Sequence, residues 1–508
     1  YKRQVSASAG WVGHTLKTTY KNTDVTTTYI DPLLRKPSTD VNYFETNAGG
    51  MGATTSGKSS SWDKALLFTA QAGWKETVYV DFSYRQDWYR LFRQLYLSGD
   101  ADKQSYGYFG LGANAIVSNL VKLPEWFNYM KFRVSYSEAG NSFADAGFYR
   151  ISQNRRTGAV NANNYKKFKA VPEVMKSFET GIETMFFNNR LSFDLTYYNG
   201  VMDHLYMEGS DASGIQPFTS AKVRNQGFET TIGYNFRLAK DVNWRTSYNV
   251  SYNNNKILKT AYNDQGKELI QQQVVGGTYI RYKEGGSIGD MYIHDFERDA
   301  NGNIALTKSG APRFKSSGQD ADLIYVGNMN SKWQMGWSNN FNYKDFTLSF
   351  LINGRIGGKV ISLTEAYLDQ NGLSQRVADA RLNAERNNIV ATDYKNAPGM
   401  QLNDGSGRIV PVEAYYKAMG ASTNPYNYIY SATNFRLREL SLGYTFRNLL
   451  GQNKNLNVAF IARNLFFLYN DSPVDPDVSL STANGLGAFE LFNMPSSRSF
   501  GLSLKLNF

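Results

Sequence analysis

The chain has 508 residues, of which 42% are apolar and 15% aromatic, and a net charge of +11 at pH 7. It contains no cysteine, which excludes disulfides, thiolate metal centres and Cys nucleophiles. Its Lys and Arg are scattered rather than gathered into a basic block or helix, which argues against a nucleic-acid surface, and no run approaches 18 apolar residues, which excludes a transmembrane helix.

In chain order, the first predicted strand lies around 11–20 and another around 40–48. Between the latter and a strand at about 64–73 runs GATTSGKS (52–59), which fits the phosphate-loop pattern from Gly52 through Gly57 and Lys58 to Ser59. TVYVD (77–81) adds the look of an apolar strand ending in a magnesium-holding Asp. A phosphate loop needs a buried apolar strand before it and a helix after it. Here NYFETN (42–47) precedes it, and the residues after it turn at 74–76 into the alternating strand 77–84. The stretch 49–63 is therefore expected to be an extracellular loop, and a nucleotide hydrolase is kept only as a remote alternative.

From there on the period is two. Met130, Phe132, Val134 and Tyr136 alternate with polar residues, as do Phe193, Leu195 and Tyr197. So do Phe228, Ile232, Tyr234 and Phe236, then Tyr248, Val250 and Tyr252, and later Phe346, Leu348, Phe350 and Ile352. Leu442, Tyr444 and Phe446 lead to the last segment, SFGLSLKLNF (499–508), which alternates without an error. One wholly apolar and one small, polar face suit a wall between lipid and water. Aromatics recurring near strand ends suit the two membrane interfaces. Short connections at 188–189, 238–241, 344–345 and 448–455 alternate with long polar stretches at roughly 138–176, 200–224, 255–332, 355–432 and 467–497. Short turns on one side and long loops on the other are the outer-membrane arrangement. The expected fold is all-β: a transmembrane antiparallel β-barrel with roughly 16 strands visible.

No catalytic, metal or cofactor site is expected. The three histidines (His14, His204, His294) lie far apart and read as isolated polar residues. DANGN (299–303), with Asp295 and Glu297 before it, offers alternating oxygen ligands. However, Ile304 and Gly310 stand where a calcium loop needs Gly and Glu. A tight Asn-Gly turn is the reading favoured there. Ligand-contacting residues in the long loops are not assignable from sequence.

Several stretches resemble, in order and spacing, the SusC/RagA family of TonB-dependent outer-membrane transporters. They are FRVSYSEAGN (132–141), SFETGIE (177–183) with NNRLSFDLTYY (188–198), VRNQGFE (223–229), NFRLRELSLGY (434–444), ARNLF (462–466) and MPSSR (494–498). The resemblance implies a 22-stranded plugged barrel, of which residues 1–508 would be the C-terminal part. The plug, the TonB-contacting segment and the first strands would lie on another fragment of the same transporter, since Tyr1 is not a natural start. It also implies TonB-dependent import of an oligosaccharide or oligopeptide beneath a SusD-like lipoprotein lid, in a membrane bearing lipopolysaccharide, with no bond chemistry. The alternatives are a complete passive porin and a structural or secretion barrel.

Overall fold

The computed structural model describes residues 3–23, 29–30, 37–38, 54–89, 105–141, 171–211, 214–262, 266–315, 322–421, 424–449, 451–452, 454–480 and 486–507. Fourteen strands pair in sequence order into one antiparallel meander. They are β1 (Arg3–Thr23), β2 (Thr54–Trp74), β3 (Val78–Tyr89), β4 (Ser105–Ile116), β5 (Phe127–Asn141), β6 (Glu173–Phe186) and β7 (Leu191–Asp211). There follow β8 (Gly214–Ala239), β9 (Val242–Lys259), β10 (Trp333–Tyr343), β11 (Phe346–Ile356), β12 (Asn434–Phe446), β13 (Asn455–Asn470) and β14 (Ser499–Asn507). Roughly 16 strands were expected. The one expected at 40–48 lies outside the described residues.

Cross-strand register puts the alternating residues onto two continuous faces. On the outward face Leu504 stands opposite Val458, which stands opposite Tyr444, which stands opposite Phe346, and so across the sheet. Phe500, Leu502 and Leu504, on the edge strand of the described sheet, are 65%, 67% and 64% exposed and continue the apolar row that faces lipid. Ser499, Gly501, Ser503 and Lys505 occupy the other face of the same strand.

Two aromatic rows bound the apolar band. Near the short turns, Phe236 stacks on Trp244 at 4.5 Å and Trp244 on Phe341 at 5.1 Å. Farther up, Phe228, Tyr252 and Trp333 meet at 4.7 to 5.8 Å. From Trp333 to Tyr343 the chain runs about 33 Å along β10. At the roughly 40° tilt of such strands that is about 25 Å of height, the apolar thickness of an outer-membrane wall. Leu502→Arg should therefore cost about 2–4 kcal/mol, whereas Ser503→Arg, its neighbour on the wet face, should cost little. Thermal unfolding of the two variants in detergent-lipid vesicles checks this. Equal costs would mean that the faces are assigned wrongly.

The short turns expected at 188–189, 238–241 and 344–345 are present, the described residues of 448–455 join β12 to β13, and Lys75–Thr77 makes another turn. Asn188 and Asn189 take φ of 56° and 61°, a left-handed geometry that Asn tolerates well. Two expectations are corrected. Residues 54–63 are not a loop: β2 runs through them, with Gly57, Lys58 and Ser59 opposite Tyr20, Thr19 and Thr18 of β1. Extended backbone committed to a ladder cannot curl its N–H groups around a phosphate, so the nucleotide reading falls; Gly52 itself lies outside the described residues. Nor is 200–224 a loop, because β7 and β8 continue as a paired hairpin to Asp211 and Gly214.

Candidate functional site: a polar wall beneath a folded cap

The inward face of the sheet is largely polar. Between β1 and β5, Ser6, Ser8, Thr69, Gln71, Asp81 and Ser135 line a concavity of about 520 Å³. A smaller hollow of about 170 Å³ continues it past Arg133, Glu179 and Thr196. Arg133 forks onto Asp194 with bonds of 3.0 and 2.8 Å and also donates to Thr196, so its charge is fixed in place. Toward β11 the wall turns to neutral amides and hydroxyls. Asn342 donates to Asn340, Asn340 to Ser349, and Thr347 to Asn342, at 2.6 to 3.1 Å. Such a surface offers donors and acceptors to a hydrated solute.

Beyond β9, β11 and β13 the long connections fold into a cap with its own buried clusters. Four strands (Gln271–Val275, Thr278–Tyr282, Asp290–His294, Leu323–Asn328) form a small antiparallel sheet. Its inner face, with Ile280 and Met291, packs on Ile361, Ala488 and Phe489 from two other connections. Helices α1 (Leu363–Gln370), α2 (Gln375–Arg386) and α3 (Val412–Gly420) follow β11. The first two start as capped helices should: Ser362 accepts from the Glu365 N–H and Ser374 from the Val377 N–H. Arg376 lies between Glu365 and Asp369 at 3.3 Å each. Tyr430 donates to Glu365 at 2.6 Å and Tyr428 to Asp369 at 2.8 Å. Burial, then these carboxylates, push both phenols well above the ordinary tyrosine range.

An ion cluster ties the cap to the wall. Arg436 is 2% exposed, stacks over Phe467 at 4.0 Å and binds Asp475; its second nitrogen faces Asp477 at 3.8 Å. Arg438 and Arg355 reach Asp477 at 3.2 and 3.3 Å. Sequence reasoning missed this group, although NFRLRELSLGY carries a signal for it. If Leu440, Leu442 and Tyr444 face lipid, strict alternation sends Arg438 and Arg436 into lipid too. The structure resolves the conflict with a bulge at Arg438. Leu351 pairs with Glu439 and the next residue, Ile352, with Leu437, leaving Arg438 as the extra residue. Arg436 then lies opposite the inward-facing Asn353.

The other residues singled out from sequence are structural. In DANGN the Asp299 carboxylate accepts from the Asn301 and Asn303 N–H groups at 2.9 and 3.0 Å, and Gly302 takes φ of 82°. That is the expected turn. Asp295 pairs with Lys315 and Glu297 with Arg313, so these carboxylates already have cations. Nearby, burial raises the Asp404 pKa, but bonds from Ser406, Arg408 and the Ile304 N–H outweigh it and hold the group down at about 2. His14 meets Asp63 at 3.3 Å, His294 meets the Tyr279 hydroxyl at 2.8 Å, and His204 sits at a left-handed kink. The three are not brought together.

Comparison with known proteins places this architecture. The family described as TonB dependent receptor-like, beta-barrel, matches residues 3–322. TonB-dependent receptor P39 of Formosa agariphila is 24% identical over 497 residues, covering 86% of this chain and 45% of its own length. TonB-dependent receptor SusC of Bacteroides thetaiotaomicron is 21% identical over 354 residues, covering 66% of this chain and 32% of its own. The chain thus spans less than half the length of the curated relatives it matches. A solved structure of the RagAB peptide transporter shares the fold, with a TM-score of 0.67 at 16% identity, covering 100% of this chain and 53% of that one. With a family match over more than half its length, on a lipid-facing wall with short turns at one end and long connections at the other, the chain belongs to the TonB-dependent receptor β-barrels of the outer membrane.

Proposed function

We propose that residues 1–508 form the C-terminal wall and cap of an active importer that takes a large nutrient across the outer membrane. The plug, the TonB-contacting segment and the remaining strands are supplied by further sequence of the same transporter. A SusD-like lipoprotein covers the cap, and an oligosaccharide or oligopeptide is the cargo. Force transmitted through TonB opens the path, and no bond in the cargo changes. One observation carries this reading: the connections beyond β9, β11 and β13 fold tightly enough to have their own buried clusters and are pinned by Arg436 to a wall whose inner face holds fixed charges and amides. A passive pore gains nothing from so heavy a cover. Family membership and the likeness to SusC and RagAB support the same reading.

Cells making the full gene product and its neighbouring lipoprotein are to be fed labelled oligosaccharide and oligopeptide mixtures. Uptake of one class should stop when a protonophore collapses the inner-membrane gradient. Uptake that continues unchanged after collapse would identify a passive porin instead.

A further inference from the structure

Above the upper aromatic row, the outward face carries a cluster of cations that the import reading does not use. Register places Lys176, Val201, Arg224 and Lys256 in one line across β6 to β9. This line faces outward. It lies two alternations above the row Thr180, Tyr197, Phe228 and Tyr252, whereas Asn225 and Asn255, one residue away, bond each other on the inward side at 2.9 Å. Arg224 and Lys256 are direct cross-strand partners, and Lys222 stands opposite Lys259 next to them. Like charges directly opposite destabilise a ladder. Asp203 answers only part of the cluster, taking Lys176 at 3.3 Å and Lys222 at 3.4 Å. Among the described residues neither Arg224 nor Lys256 has an ion pair, and the Arg224 Nε is buried without a hydrogen-bond partner.

Height identifies the missing anion. Lys256 is twelve residues beyond Trp244 of the lower aromatic row. That is about 40 Å along the strand, and about 30 Å of height at a tilt of roughly 40°. The cations therefore stand about 10 Å above the upper aromatic row that bounds the roughly 25 Å apolar band, at the level of the outer head groups. We propose that Arg224 and Lys256, flanked by Lys176 and Lys222, bind the phosphate of an outer-leaflet lipid, a phosphorylated lipid A head group. A guanidinium fork and an ammonium converging on one phosphate convert a repulsive pair into two charge-assisted contacts.

The test uses the whole transporter extracted in mild detergent. Mass spectrometry and phosphorus analysis of the denatured complex should find phosphorylated lipid A. An Arg224→Gln/Lys256→Gln double variant should hold at least tenfold less, the minimum for the loss of two charge-assisted contacts. Independently of that variant, adding phosphorylated lipid A to delipidated wild type should raise its unfolding temperature. Dephosphorylated lipid A and inorganic phosphate should not. In lipid-free detergent the double variant, relieved of facing cations, should unfold at a higher temperature than wild type. Equal lipid in wild type and variant, or an equal response to the dephosphorylated lipid, would overturn the site. An equal response to inorganic phosphate would overturn its assignment to a lipid. None of these readings involves cargo, so the site and the proposed import stand or fall separately.

Discussion

Arg436→Ala is expected to lower the stability of the folded chain by about 3–5 kcal/mol, the range for breaking a buried ion pair from one side. Arg436 is 2% exposed, and its removal leaves the nearly buried Asp475 carboxylate without its cation. Arg355 and Arg438 remain on Asp477, so the loss falls on Asp475. The flat stack on Phe467 is lost as well. Arg438→Ala, on a half-exposed side chain, should cost no more than about 1 kcal/mol. The dependence on pH has a definite sign. Burial raises the Asp475 pKa, but hydrogen bonds from Arg436 and Ser496 bring it below the ordinary carboxylate value. A depressed carboxylate contributes stability above its unfolded pKa and loses it as the pH falls through the folded one. The deficit of Arg436→Ala should therefore be full at pH 7 and shrink below about pH 4. Thermal unfolding followed by heat-modifiable gel migration reads both effects. A variant within about 1 kcal/mol of wild type at pH 7 would mean that the cluster does not hold the cap.

The second large effect is expected at Gly227. A Cβ there would lie 1.8 Å from the Tyr252 carbonyl oxygen and 2.8 Å from the Tyr198 hydroxyl. Tyr198 on β7 reaches over Gly227 on β8 to donate to the Tyr252 carbonyl on β9 at 3.3 Å and to the Asn253 side chain at 3.1 Å. The ring takes the place of the missing side chain. The carbonyl belongs to the backbone of the paired strand, so it cannot step aside without opening the β8–β9 ladder. Gly227→Ala should cost at least the roughly 1–3 kcal/mol of an overpacked core. Tyr198→Phe, which keeps the ring, should lose only about 0.5–1.5 kcal/mol. Gly501→Ala has nothing within 4 Å of the added methyl and serves as the neutral control. The folded fraction recovered from outer membranes distinguishes the three. Equal recovery of Gly227→Ala and Gly501→Ala would remove this account of the glycine.

What the sequence made legible was the wall. Alternation alone placed Phe346, Leu442 and Phe500 on one face, because a two-sided solvent leaves a period-two trace. The cap left no such trace. Its helices, such as α2, are short and interrupted, and Val377 and Val412 find each other only through tertiary packing. GATTSGKS, set aside as a nucleotide motif, misled in position only: a loop was expected at 49–63, and β2 runs through 54–63 as a strand paired with β1. Arg436 was hidden for a different reason. One bulged residue shifts the parity of everything before it in β12, and a pattern read without the bulge points that side chain the wrong way.

The strict alternation of the wall also governs how such a chain can change through descent. One inserted residue would turn every side chain beyond it to the opposite solvent. Length changes in the wall must therefore come in pairs, or be absorbed by a bulge such as that at Arg438. The connections of the cap obey no parity. Insertions and deletions can enter at the extracellular end, so a lineage can remake the surface that meets the outside world while the wall keeps its register.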